Sequence, residues 1–496
     1  MISQNLLNKI NIQTKYAAVC FIIIAFFASC ASIDTPEIQD PIIEDEPVPT
    51  LAEEPQEEDV FHPVNFAMDL QSILQTGSLH DALNSFDTIP EEYADDEGLN
   101  YLHASLLLSV GELDKAGEIA QTLQEQGSQS TDIQLLNAVI LKEQGKTQDS
   151  QRILKEILAN DPQNPEANVE MANFAMKASN YAGAHNYFSQ GLKGDPEDPE
   201  SLFGYSLTAW YLRNDDRAKA GFTKLSEIDP NNSMAWAYLA KFEADDGNYV
   251  QAAELMQKAA DCDGDYYQHW MDLGTYYRNI NKFDEAEYAW TRAIEVNPHY
   301  FLAYAYRGGM YDEKNRYEEA LADYEKVITY NPKYYFAYES MGVLYWREEK
   351  WQDSRNAFLK AYEASPGNTS YALMISATYQ KENRLQDNKT FLTAAMRNVA
   401  RDSLDYFMLR LYYDGLGDTT VLNKILAETD RNIRGEMMFY MALFYELKGS
   451  QSLAIKYYLE VAAMQAPMFF EYRLNEWAIE KAQAENSNEF FSEEVR

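Results

Sequence analysis

Cys262 and His269 stand seven residues apart, a nucleophile and a base in one short stretch. A thiol attacks as its thiolate, so such a pair needs the imidazole in hydrogen-bond reach and a third group to orient it. No residue is identified as that third group, and Cys262 reads as a small buried hydrophobe. Asp261, Asp263 and Asp265 have the alternating carboxylates with which a calcium loop begins. The glycine of that stretch, Gly264, comes too early, however, and Asp272 stands where a bidentate Glu is needed. The segment therefore reads as a turn. The six histidines, His62, His80, His103, His185, His269 and His299, are scattered along the chain. No metal and no cofactor is expected from them. The 36 tyrosines, 16 of them between Tyr267 and Pro366, could form a platform for a glycan or an aromatic ligand. Most of them fall where helix packing would place them.

What positions these side chains is a period of 34 residues. Stepping by 34 from Gly77 gives Gly111, Gly145, Ser179, Arg213, Gly247, Asn281, Asn315, Glu349 and Asn383. Gly and Asn tolerate the left-handed backbone that ends a helix, so this phase is a helix-to-helix turn. Five residues on, Ala82, Ala116, Ser150, Ala184, Ala218, Ala252, Ala286, Ala320 and Ser354 are small enough for two helices to approach closely. One helical turn later come Phe86, Leu154, Phe188, Phe222, Met256, Trp290, Tyr324, Phe358 and Leu392, with Ala120 the exception. These large groups can fill the space between units. Pro162, Pro196, Pro230, Pro298, Pro332 and Pro366 share one phase, where Pro can stop one helix and open the next.

The repeat resembles the tetratricopeptide repeat. Trp270, Leu273, Gly274, Phe283, Ala286, Trp290 and Pro298 match the family's positions. So do Tyr304, Gly308, Tyr311, Tyr317, Ala320, Tyr324 and Pro332, and then Tyr338, Gly342, Tyr345, Trp351, Phe358, Ala361 and Pro366. Ten units run from Pro63 to Asp402. A shortened one follows, with an Asp414–Asp418 turn where a bend or packing irregularity is expected. A last unit spans Gly435–Met468. The resemblance implies an all-α fold, an α-solenoid in a right-handed superhelix of about twelve helix pairs over residues 63–468. Residues 469–496 are expected as a capping helix and tail. It also implies a concave wall built by the second, fifth, ninth and twelfth residues of each first helix. Tyr101, Phe203, Trp210, Phe336, Glu339, Trp346, Phe407 and Phe439 occupy such positions and are the candidate partner-binding residues. The chaperone-binding branch of the family grips a terminal carboxylate with a fifth-position Lys and a ninth-position Asn. Asn173 is present, but Val169 stands at the fifth position, so that function is not expected.

Residues 1–30 read as an address. Lys9 and Lys15 precede an apolar core, Ala17–Ala28, about a third too short to span a bilayer. The Phe27-Ala28-Ser29-Cys30 ending resembles a bacterial lipobox, with Cys30 as the residue that receives lipid. Ala31 follows where Asp would signal inner-membrane retention in some bacteria, which favours the outer membrane, facing the periplasm. Residues 31–62 hold 11 acids, five prolines and no base, the composition of a solvated tether.

Forty-one Lys and Arg against 79 Asp and Glu give a net charge of −38, which excludes nucleic acid as a phosphate-bound partner. Signal, tether, repeats and cap account for the whole length, leaving no room for a catalytic domain, and no enzyme is expected. The sequence thus predicts a lipid-anchored envelope scaffold that binds proteins with basic and aromatic segments. In plan it resembles repeat lipoproteins of outer-membrane assembly, pilus secretion or cell-wall hydrolase recruitment. The alternative is a receptor for a small ligand or glycan, distinguished by a closed aromatic cavity.

Overall fold

A computed structural model describes residues 61–464 and 467–494; Cys30, the signal segment and nearly all of the tether lie outside the described residues. The described residues form 25 α-helices and no strand. They run as twelve consecutive pairs, from Pro63–Thr76 with Leu79–Ser85 to Arg431–Leu447 with Gln451–Ala462, followed by the helix Glu471–Glu494. The chain divides into two compact units, one ending at Tyr238 and one beginning at Leu239. Among the described residues no helix is long and apolar enough to cross a membrane.

Each pair follows from the phases of the repeat. First helices in several units start on a side-chain cap: Asn164 Oδ1 accepts from the Ala167 amide at 2.9 Å, and Asp198 from Ser201 at 2.8 Å. Pro165 and Pro199 then supply the fixed φ of a first helical residue. The in-phase prolines, Pro162 and Pro196, lie in the loops before these caps.

Within each pair the reversal is left-handed at the expected place. Gly111, Gly145, Ser179, Arg213, Gly247, Asn281, Asn315, Glu349 and Asn383 all have positive φ. Gly77 departs, with φ −116° and an extended backbone, and its second helix is only seven residues long. Every small residue of the series from Ala82 to Ser354 is buried, as is every large one from Phe86 to Leu392. The fit is close. A methyl group added to Gly274 would lie 2.5 Å from the Trp290 ring nitrogen, and one on Gly342 2.9 Å from the Phe358 ring. Glycine at these points lets one helix lie directly under its neighbour's aromatic ring.

The unit up to Tyr238 keeps small, sequential cores, such as Ala138, Ile153, Leu154, Ile157, Ala167 and Met171. The unit from Leu239 changes character beyond Val343, where one apolar cluster runs continuously to Leu474. The irregularity expected at the shortened repeat is its cause. That repeat has helices of only 11 and 10 residues, Leu404–Asp414 and Asp418–Ala427, joined through left-handed Gly415 and Gly417. Its neighbours on either side then meet directly: Thr369–Lys381 packs on Arg431–Leu447. The Tyr440 hydroxyl donates to the Ser370 carbonyl at 3.0 Å, and Lys381 pairs with Glu446 at 2.7 Å.

Candidate functional site

In the unit ending at Tyr238, Phe203 and Trp210 belong to a connected aromatic group. Both lie on Pro199–Tyr211, two turns apart, so their side chains share a face. Trp210 meets Tyr238 edge-on at 5.6 Å and Tyr211 at 5.2 Å. Tyr211 stacks on Tyr181 at 4.3 Å, and Tyr238 stacks on Phe222 at 4.6 Å. Phe203 touches both Phe222 and Tyr238. Phe203 and Trp210 are half-buried, leaving part of each ring on the surface. Tyr101, three repeats earlier, is apart from this group and also half-buried; burial, then Asp132 and Glu166, push its phenol up. Burial likewise raises the Glu166 carboxyl, while Glu170 is neutralised by Lys142 at 2.7 Å. Carboxylates thus lie around Tyr101, and Glu200 stands in the first turn of the helix that carries Phe203 and Trp210.

The unit beginning at Leu239 distributes its candidates differently. Phe336 is half exposed and lies 4.1 Å from Tyr335. Glu339 accepts a hydrogen bond from Tyr371, and burial raises its carboxyl. Trp346 packs against Trp351 at 4.9 Å beneath the Lys381 ammonium. Phe407 carries Lys424 over its ring at 4.4 Å. Phe439 corrects the sequence expectation: it is 1% exposed, in the core between Tyr440 and Tyr458, and offers no surface to a partner. The irregular packing around the shortened repeat buries it.

Three successive repeats share a feature that the core pattern hid. Tyr266, Tyr300 and Tyr334 stand at helix N-caps with no capping hydrogen bond, where other repeats use Asn or Asp. Each is followed by an aromatic at the first helical position. The rings connect, Tyr267 to Tyr300 at 4.7 Å and Phe301 to Tyr334 at 5.3 Å.

The helix Glu471–Glu494 does more than close the array. One side of its first turns is buried: Glu471 is 1% exposed and Asn475 donates to the Tyr458 carbonyl at 3.0 Å. Arg473, Trp477 and Lys481, spaced four apart, form another stripe that reaches much earlier repeats. Arg473 pairs with Asp312 at 2.6 Å and donates to its carbonyl at 3.1 Å. Trp477 meets Tyr317 edge-on at 5.8 Å. Arg347 covers Tyr317 at 4.1 Å and Trp477 at 5.5 Å, and Lys481 pairs with Glu349. The stripe is visible in the sequence as i, i+4, i+8, but its target lies outside the repeat's own pattern.

Other sequence candidates serve packing. His62 caps the first helix, His103 stacks on Phe86 at 4.4 Å, and His185 bonds Thr208 at 2.9 Å. His269 is buried beside Tyr266, and His299 lies against Tyr330. Cys262 corrects the expectation of a buried side chain: as the last residue of Tyr249–Cys262, at the turn that follows, it is exposed. In the Asp261–Asp265 turn, Gly264 takes the place that Pro230 and Pro298 hold elsewhere: its carbonyl accepts from Trp270 at 2.8 Å, as theirs do from Trp236 and Tyr304. Among the described residues no three His, Cys, Asp or Glu converge as metal ligands. A surface depression of about 430 Å³ is lined by Gln148, Gln151, Arg152, Lys155, Glu156 and Ala159, with no aromatic.

Models of the tetratricopeptide repeat match residues 141–201, 206–267, 271–334 and 311–369. The chain is a tetratricopeptide-repeat protein. Among solved structures it is similar to MamA, at 21% identity over 33% of this chain and 95% of that one, with a TM-score of 0.31. YrrB, described as a tetratricopeptide-repeat protein with an unusual peptide-binding site, is 21% identical over 36% and 92%, with a TM-score of 0.34. The C-terminal part of a tetratricopeptide-repeat protein from Cytophaga hutchinsonii is 16% identical over 55% and 97%, with a TM-score of 0.34. These likenesses are of fold alone. No curated protein matches the chain.

Proposed function

We propose that this tetratricopeptide-repeat protein is an interaction scaffold of the bacterial cell envelope, held to a membrane by acylated Cys30 and binding other envelope proteins through its repeats. Tetratricopeptide repeats imply a scaffold for protein–protein interaction. The observation that supports it most is the half-buried aromatic group around Phe203 and Trp210, on a helix whose first turn carries Glu200. Aromatic side chains in partly desolvated positions dominate interface energetics, and acidic surroundings select basic partners and speed their encounter. The Phe27-Ala-Ser-Cys30 ending supports the anchor, and Ala31 the outer membrane. Acyl chains add about 0.8 kcal/mol per buried CH₂, enough in combination for stable anchoring.

The test is capture from crosslinked envelopes. Wild type should retain protein partners that Trp210→Ala loses, with binding that slows between low and physiological ionic strength. Cys30→Ala should leave the detergent phase in temperature-driven separation. Capture indifferent to both salt and Trp210 would refute the wall as the interface, and unchanged partitioning would refute the anchor.

A second reading, a receptor for a small ligand or glycan, draws on the linked rings at Tyr266–Tyr267, Tyr300–Phe301 and Tyr334–Tyr335. Giving up three N-caps forgoes about 1 kcal/mol each, so these aromatics are retained against local helix stability. Retention of the chain on immobilised envelope polysaccharide, lost in Tyr300→Asn, would favour it.

A further inference from the structure

We propose that the surface formed by Asp312, Tyr317, Arg347 and Glu349 is a docking site for a partner helix that carries Arg and an aromatic residue one turn apart, and that the chain's own Arg473, Trp477 and Lys481 hold this site until such a partner displaces them. The proposal rests on the scaffold reading and names the ligand chemistry of a site that the repeat pattern alone does not reveal.

The resident helix defines what the site accepts. Its Arg473 lies over Tyr317 at 5.2 Å and over its own Trp477 at 4.5 Å, while Arg347 covers the same two rings from the repeat. Two rings and two guanidinium groups thus interleave. A planar cation and a flat indole are the side chains that fit between them; Lys would offer a point charge without the plane. Asp312 supplies the acceptor. Arg and Trp are also the residue types that most often anchor protein interfaces.

Three observations make the occupant replaceable. The contacts with Asp312, Tyr317, Arg347 and Glu349 come from three side chains at the tip of a stripe, whereas Glu471, Leu474 and Asn475 hold the start of the helix to the last repeats. Displacement of Arg473, Trp477 and Lys481 therefore leaves the end of the array covered. Next, Asp312 is imperfectly used: its Oδ1 is buried without a hydrogen-bond partner, because Arg473 spends its second nitrogen on the backbone carbonyl. A guanidinium presented squarely would bond both carboxylate oxygens, which is the stronger arrangement. Last, Lys481 and Glu349 are both more than half exposed, so their pair holds weakly. A tethered ligand competes at an effective concentration on the order of millimolar. A partner with a better-placed Arg overcomes that advantage, aided by the net charge of −38 on this chain.

The experiment uses the full chain and, as probe, a labelled peptide with the sequence of residues 468–484, followed by fluorescence anisotropy. The peptide is expected to bind the Arg473→Ala/Trp477→Ala chain at least tenfold more tightly than wild type, since that variant vacates the site. A peptide bearing the same two changes is expected to bind neither chain. Adding Asp312→Asn to the vacated chain is expected to remove most of the gain. Equal affinity for wild-type and vacated chains, or binding that ignores Asp312→Asn, would overturn the proposal. If the double variant loses helicity, Arg473→Lys serves instead: it keeps the charge, loses the plane, and is expected to expose the site partially. Dimers formed by exchange of residues 471–484 between copies would make the occupant a second copy and sink the foreign partner. Peptide capture combined with no protein recovered from envelopes would leave this site standing and refute the scaffold reading alone.

Discussion

Arg213 and Glu349 show how much one residue carries in a repeat this regular. Both sit in the left-handed turn, at φ 60° and 57°, where a side chain with a Cβ is strained by about 1 kcal/mol. Glu349 uses its position to reach Lys481. Arg213 is exposed, and Arg213→Gly is expected to stabilise its turn by about 1 kcal/mol, read as slower amide exchange in Pro199–Tyr211 and Asp215–Ile228. Faster exchange there would mean that the arginine itself stabilises the turn. The turn and the Ala series were legible in the sequence because each depends on one residue: a small group or a left-handed backbone is a local demand, and each is met at its phase in nine units. Phe439 was not legible. Its phase puts it on a concave wall, but its burial depends on the shortened repeat beside it, whose displacement no single residue encodes.

At the scale of the element, the helix Glu471–Glu494 is held at its start by a buried acid. Burial, reinforced by Glu436, pushes the Glu471 carboxyl from the usual 4.5 to about 8. Contacts with the Tyr440 hydroxyl, 2.6 Å away, and with Ser370 hold this rise back without reversing it, and Ser370 also bonds Glu436, on which Asp405 and Asp430 act. The folded form thus favours the proton. Its contribution is complete below the unfolded value near 4.5 and is lost as pH rises through about 8. Trypsin cleavage after Arg473 is therefore expected to accelerate between pH 7 and pH 9 in wild type relative to Glu471→Gln, which stays neutral. A constant ratio between the two would show that the acid does not govern docking. The helix itself was expected as a cap from its amphipathic start. Its reach to Asp312 was not, since the repeat's period predicts contacts between neighbours and this one joins elements several units apart.

For the whole molecule, the two kinds of core predict two kinds of failure. Overpacking Ala286, fully buried among sequential neighbours, is expected to cost about 1 to 3 kcal/mol. In Ala286→Leu, amide exchange should rise in the flanking helices and little beyond, as nearest-neighbour arrays behave. Met441 lies in the continuous cluster from Val343 to Leu474, and Met441→Ala is expected to cost about 2 to 5 kcal/mol. Protection there should fall together across that span. Local loss around Met441 alone would show that the irregular repeat has not fused its neighbours.

The bond between Arg473 and Asp312 also joins residues 161 positions apart in a fold assembled mostly from near neighbours. Closing so long a loop is entropically unfavourable and can happen only after the intervening repeats have formed. Helicity should therefore return before the Trp477 environment does when the denatured chain is diluted from urea, a lag absent in Asp312→Asn. During synthesis the same order holds: the Asp312 surface is folded and open before residue 473 reaches it. The newly made chain passes through an interval in which a partner meets this site with no competitor, so loading at birth and exchange in the mature protein are kinetically separate events.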